Sequence, residues 1–196
     1  MFRKLFLFFF LVAVLTALPF LPRGSQADRD SAGLLGGEVF PELKGKSLAG
    51  AEVSIPSGTK GKPVVLGIAF SPKAEGDLKG WLQPLYDTFL AKHEGVFAAG
   101  NFDGHVYMVA LLSGAASLAG KSLEDKAAKG TDAELRPHIL LSRQEATPIL
   151  KALNATDKNK PYFAILDAEG RLKAVVSGAF NEAKLDELTE KAEEAE

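Results

Sequence analysis

The segment Ala115-x-x-x-x-Gly120-Lys121-Ser122 comes nearest to a chemical motif in this sequence. In a phosphate-binding loop of that form, backbone N–H groups cradle phosphates and the lysine neutralises them. An apolar run ends just before it at Leu112, and Phe163 to Asp167 could pose as a strand closing on a magnesium-associated Asp. Yet the first position is Ala rather than Gly, and the loop is Ala-rich. Asp167-x-x-Gly170 is better explained by a hairpin turn. Gly120, Lys121 and Ser122 are therefore a phosphate-loop lookalike, and no cofactor is expected. His93, His105 and His138 are the only histidines, without His-x-x-x-His or His-Glu-x-x-His spacing. Asp103 and His105 would share one face of an extended segment, but a metal needs more ligands than this spacing offers, and no metal site is expected. Ser71 closes an apolar run, a place where nucleophiles occur. Its surroundings, Ala69-Phe70-Ser71-Pro72-Lys73, are not Gly-x-Ser-x-Gly, so a turn or helix-capping role is expected. Glu75 and Asp77 are acids in a charged loop, with nothing to support a glycosidase pair. No catalytic residue is assigned. The cysteine count is zero, which excludes disulfides, thiolate metal sites and any thiol nucleophile.

The elements that position these residues follow from the apolar pattern. Residues 1–27 have a basic start (Arg3, Lys4), an apolar run from Leu5 to Leu18, and Ser25-Gln26-Ala27 before Asp28. This is the form of a cleaved signal peptide; the alternative is a retained anchor over residues 5–21. The run is shorter than the roughly 20 residues that span a bilayer comfortably. Cleavage leaves 169 residues carrying 20 basic and 25 acidic side chains, a net of −5, which speaks against nucleic acid as a partner. Residues 28–39 form a linker, 40–190 the folded domain, and 191–196 an acidic tail expected to fray.

Within the domain, Val53-Ser54-Ile55 alternates as a short strand. Val64 to Phe70 is a continuous apolar run, the mark of a strand buried on both faces. A helix is expected over Asp77–His93, with Leu78, Trp81, Leu82, Leu85 and Phe89 on one stripe and a kink at Pro84. That stripe places Trp81 and Phe89 in the core and leaves Tyr86 open. Val106 to Leu112 completes a β-α-β unit. A short helix around Leu123–Lys129 precedes a strand at His138–Leu141. Ser142-x-x-Glu145 has the form of a capping box, and Thr147-Pro148 that of an alternative helix start. Tyr162–Leu166 and Leu172–Val176 form a hairpin around Asp167-Ala168-Glu169-Gly170, and Asn181 caps a final helix. The order predicts an α/β fold: a central mixed sheet with helices on both faces.

With this order, the sequence resembles the thioredoxin-like superfamily, especially its secreted thioredoxin-like and peroxiredoxin-like branch, from about Phe40 to Leu188. The resemblance is carried by Phe40-Pro41-Glu42-Leu43 with Leu48-Ala49-Gly50, and by Lys60-Gly61-Lys62-Pro63-Val64-Val65-Leu66. It is most specific at Lys160-Pro161-Tyr162-Phe163-Ala164-Ile165-Leu166-Asp167-x-x-Gly170-Arg171-Leu172. It implies a cis Lys160–Pro161 bond facing the position of the redox motif. Counting from the strand puts the two cysteine positions of that motif at Lys73 and Gly76; counting back from Pro84 puts them at Gly76 and Lys79. Neither register holds a thiol, so fold does not carry redox function here. Gly80-Trp81-Leu82-Gln83-Pro84-Leu85 is also similar to an assembly-factor family for the membrane part of mitochondrial ATP synthase, whose members look thioredoxin-like without the usual dithiol.

The expected function is thus a redox-inactive, cysteine-free thioredoxin-fold protein in the periplasm or secreted. It would bind a protein or peptide through a groove lined by Ser71, Pro72, Lys73, Lys160 and Pro161. A cis proline would leave backbone groups free to pair with an extended peptide. The alternatives are a membrane-complex assembly factor or chaperone, favoured by a retained N-terminal segment, and a thiol-independent oxidoreductase or nucleotide-binding enzyme. A membrane contact is expected only with that segment retained.

Overall fold

A computed structural model describes residues 37–91, 102–112 and 120–196, with backbone only for 120–123. The expected targeting segment and most of the linker lie outside the described residues. So does the Ala115 end of the phosphate-loop lookalike.

The elements follow in the order β1 (Leu43–Ser47), β2 (Glu52–Ile55), β3 (Val64–Ala69), α1 (Pro72–Lys79), α2 (Leu82–Leu85), a π-helical turn (Tyr86–Leu90), β4 (His105–Leu111), α3 (Gly120–Lys129), a 3-10 turn (Arg136–His138), β5 (Ile139–Ser142), α4 (Thr147–Ala152), β6 (Tyr162–Leu166), β7 (Leu172–Ser177) and α5 (Glu182–Glu193). They build one seven-stranded sheet in the order β2-β1-β5-β4-β3-β6-β7. Strand β3 pairs parallel with β4 and antiparallel with β6, which makes the sheet mixed. All six residues of β3 and all five of β6 are buried, as their unbroken apolar runs require of strands covered on both faces.

Alternation along the strands divides the core in two. One layer holds Leu43, Val64, Leu66, Ile68, Val109, Leu140, Ala164 and Leu166 with Ile149 and Leu153 of the α4 region. The other holds Val65, Met108, Phe163 and Ile165 with Leu78, Trp81, Leu85 and Phe89, and with Leu188 and Ala192 of α5. Gly67 lets the second layer close: a Cβ there would stand 2.7 Å from Phe163 Cε1 and 3.1 Å from Leu78 Cδ1. Glu124 ties α3 to the sheet by ion pairs to Lys46 on β1 (3.2 Å) and to Arg143 after β5 (2.8 Å).

Several boundaries differ from the sequence expectation. The long helix expected over Asp77–His93 starts earlier, at Pro72, because Ser71 caps it. It breaks after Lys79 and resumes as α2 and the π-helical turn, which ends where Ala91 turns extended. The capping box at Ser142 is not formed. Ser142 is the last residue of β5, its Oγ buried and without a partner, and α4 starts five residues later behind Ala146, with Thr147 already helical. At the C-terminus, α5 runs through Glu193 and both Ala192 and Ala195 are buried, so this stretch packs where a frayed tail was expected. The hairpin turn forms as expected. Asp167 accepts from the N–H groups of Glu169 (3.1 Å) and Arg171 (2.8 Å) through its carboxylate. Gly170 has φ +80° and lies against Pro56, where a Cβ would approach to 2.3 Å, so both backbone and space demand glycine.

Candidate functional site

The end of β3 passes directly into α1 through Ser71. Ser71 is extended (φ −153°, ψ 161°), and its Oγ accepts from the Ala74 N–H at 3.2 Å, the geometry of an N-cap. The same hydroxyl donates to Asn159 Oδ1 at 3.3 Å. This bond joins the start of α1 to the loop that leads into β6, so the two halves of the sequence-predicted site, Ser71-Pro72-Lys73 and Lys160-Pro161, meet through a residue outside that set.

The loop before β6 is held from within. Asp157 Oδ1 accepts from the Asn159 N–H at 2.9 Å. The Tyr162 hydroxyl donates to the Asp157 carbonyl (3.1 Å) and accepts its N–H (3.2 Å). The Tyr162 ring meets Phe70 edge-on, with centroids 6.1 Å apart. Asp157-Lys158-Asn159 thus forms the side-chain-to-backbone turn its composition favours, a signal present in the sequence and missed there.

The expectation of a cis Lys160–Pro161 bond is not met. The cis peptide bond among the described residues is Ile55–Pro56, and Lys160–Pro161 is trans. Pro161 is buried and its carbonyl accepts from the Gly178 N–H at 2.9 Å. The backbone groups expected to pair with an extended peptide are in part already used inside the fold. Pro72, Lys73 and Lys160 are exposed and Ser71 is half-buried, so side chains form what this surface presents.

The positions counted for a dithiol, Lys73, Gly76 and Lys79, all lie exposed on α1. Glu75, between them, is half-buried; burial holds its carboxyl above the ordinary range, and the Lys79 ammonium partly offsets this. Trp81 is fully buried, tilted against Phe163 with centroids 4.2 Å apart, and its Nε1–H donates to the Gly178 carbonyl at 3.1 Å. Phe89 is buried against Phe102, whereas Tyr86 reaches outward and donates to Glu134 at 2.6 Å.

The other candidates take structural places. Gly120 and Lys121 open α3 and Ser122 follows them in its first turn. Asp103 pairs with Lys62. His105 stacks on Tyr107 at 6.0 Å, and its imidazole is held below the ordinary range by burial and by the Lys62 charge. His138 places Nδ1 3.0 Å from the Val106 carbonyl. No group of three or more metal-ligating side chains occurs among the described residues. One cavity of about 280 Å³ lies between Glu38–Pro41 and α4, and another of about 270 Å³ lies between Phe89, Phe102 and α5; neither is lined by the five predicted site residues.

Comparison with known proteins rests on structure. No family model and no curated protein matches the sequence. Among solved structures, the chain is similar to BsSco, a member of the Sco family of cytochrome c oxidase assembly proteins (TM-score 0.54, 12% identity, 83% of this chain and 95% of that one). It is also similar to a protein described as the thiol:disulfide interchange protein DsbE from Chlorobium tepidum (0.51, 18%, 81% and 96%). A third is a DsbF homologue from Corynebacterium diphtheriae (0.50, 18%, 87% and 96%). The chain has a thioredoxin-like fold. Its sheet and helices are those the sequence resemblance implied, and it carries them without a cysteine anywhere in its 196 residues. Thiol chemistry is therefore absent from this thioredoxin-like chain.

Proposed function

We propose that the protein is a redox-inactive thioredoxin-fold binding module that works outside the cytoplasm and holds a protein or peptide at the surface of Ser71, Pro72, Lys73 and Lys160, with buried Pro161 beneath it. The observation that carries this reading is the Ser71–Asn159 hydrogen bond, which gathers these residues at the end of the central strand with no thiol among them. With Pro161 trans and its carbonyl occupied, recognition runs through exposed side chains rather than through strand pairing at the proline. Localisation outside the cytoplasm is supported by the signal-like first 27 residues.

Site-directed photo-crosslinking tests this. A photoreactive residue at Lys73 or Lys160 should give a discrete adduct in the native compartment, and the same group at exposed Lys173 on β7 should not. Adducts of equal yield from all three positions, or none from Lys73 and Lys160, would reject the site.

A second reading, an assembly factor or chaperone for a membrane complex, is favoured by the likeness to a member of a family of cytochrome c oxidase assembly proteins. Recovery of the Lys73 adduct with a membrane subunit, from protein that keeps its N-terminal segment, would decide for it over a free binder.

A further inference from the structure

We infer that this surface selects an acidic peptide segment, with Lys73, Lys158 and Lys160 as the recognising side chains; this specificity rests on the peptide-binding role proposed above. All three lysines are exposed. Lys158 and Lys160 flank Asn159, and Lys73 lies two residues from Ser71, so the Ser71–Asn159 bond places the two loops that carry them side by side.

None of the three sits in an ion pair: those among the described residues use Lys46, Lys62, Arg143 and Lys191. The acids of the same segments, Glu75, Asp77 and Asp157, are half-buried, whereas the lysines are exposed. The outermost charges of residues 71–79 and 157–160 are thus cationic, in a chain whose net charge is −2.

Lys73 also stands where it does not serve the fold. It is the second residue of α1, at the positive end of the helix dipole, where a cation is unfavourable. The first-turn amides add little for an anion. Pro72 has no N–H, Ala74 donates to Ser71 Oγ and Glu75 donates to the Ser71 carbonyl. Lysine side chains, not the helix terminus, set the sign of the partner. Such a patch raises the encounter rate with an opposite charge and rejects basic segments.

The test is a selection of random linear peptides against the mature chain, followed by mapping of backbone amide shifts. Enriched peptides are expected to be rich in Asp and Glu and to shift amides of residues 71–73 and 158–160. Their binding should weaken with added salt and fall by about tenfold or more in the combined Lys73→Glu, Lys158→Glu, Lys160→Glu variant, with cooperative melting no lower than that of the wild type confirming the fold. Acidic peptides that bind this variant as well as the wild type would overturn the inference. Neutral or basic peptides mapping to the same amides would overturn the acidic specificity and leave the binding site standing. Peptides mapping elsewhere, or no enrichment, would reject both.

Discussion

Helices α1 and α5 begin in nearly the same way. Ser71 has φ −153° and ψ 161°, and Asn181 has φ −154° and ψ 161°; each side chain accepts the N–H three residues on. Their surroundings differ. After Asn181 comes Glu182, an acid that suits the positive helix end, and Lys184 folds back onto the Ala179 carbonyl. After Ser71 come Pro72 and Lys73, and the Ser71 hydroxyl makes a second bond across to Asn159. Each first turn carries one acid and one lysine, Glu75 with Lys73 in α1 and Glu182 with Lys184 in α5. The α1 start differs in tying a second loop to itself. The capping geometry is therefore the same at both helix starts, and the long-range bond to Asn159 is what sets the α1 start apart.

Trp81 links the two starts, and breaking it should have the largest effect. It follows α1, packs on Phe163 and on Phe180 (5.3 Å), and bonds Gly178 just ahead of the Asn181 cap. Trp81→Ala should cost about 3–5 kcal/mol, by analogy with other buried aromatic truncations. Denaturant unfolding would measure it, and a loss of under about 1 kcal/mol would mean the indole is not a core residue. Gly67→Ala comes next. Its new Cβ meets the Phe163 ring at 2.7 Å and Leu78 at 3.1 Å, and overpacking of this kind costs about 1–3 kcal/mol. Because Leu78 belongs to α1, that variant should disturb the α1 side more than α5, which hydrogen exchange of the two helices would report.

The parts legible in the sequence are those where one signal dominates. The apolar runs of β3 and β6, the Asp167–Gly170 turn and the Asn181 cap each depend on a few adjacent residues and formed as expected. The α1 start was hidden because its first turn, Pro-Lys-Ala-Glu, buries Ala74 alone before the apolar stripe begins at Leu78. Strand β1 was legible through the family resemblance and not through its own pattern, because it buries Gly45 and Ser47 beside Leu43, so period-two alternation has little hydrophobic contrast. Ser142 shows the opposite failure. A capping-box spacing was present, yet pairing of β5 with β4 through Leu111↔Ser142 kept the chain extended. At the site itself, Ser71 and Lys160 were readable from their places beside strands. Asn159, which joins them, needed contact between residues 88 positions apart, and no local pattern reports that.

The two caps give the next prediction. Ser71→Ala and Asn181→Ala should each cost about 1 kcal/mol, the usual loss for a capping side chain. Their functional consequences should separate. Asn181→Ala should leave crosslinking from Lys160 unchanged, whereas Ser71→Ala also frees Asn159 and should reduce it. Equal effects of the two variants on crosslinking would show that the Ser71–Asn159 bond does not organise the surface.

The smallest effect is the most discriminating. Lys73→Glu removes a cation from the positive end of α1 and supplies an anion, so it should stabilise the fold, by about 0.3–1 kcal/mol. Glu182→Lys makes the reverse change at α5 and should destabilise by a similar amount, since both side chains are exposed and solvent-screened. Thermal melting at low ionic strength would read both, and added salt should shrink both shifts. The opposite signs follow from the helix dipole. The functional content lies in the trade: Lys73→Glu should gain stability while weakening capture of an acidic peptide, and Glu182→Lys should lose stability without affecting capture. If Lys73→Glu instead lowers the melting temperature, the attraction of Lys73 to Asp77 one turn on outweighs the dipole, and its charge serves the helix rather than recognition.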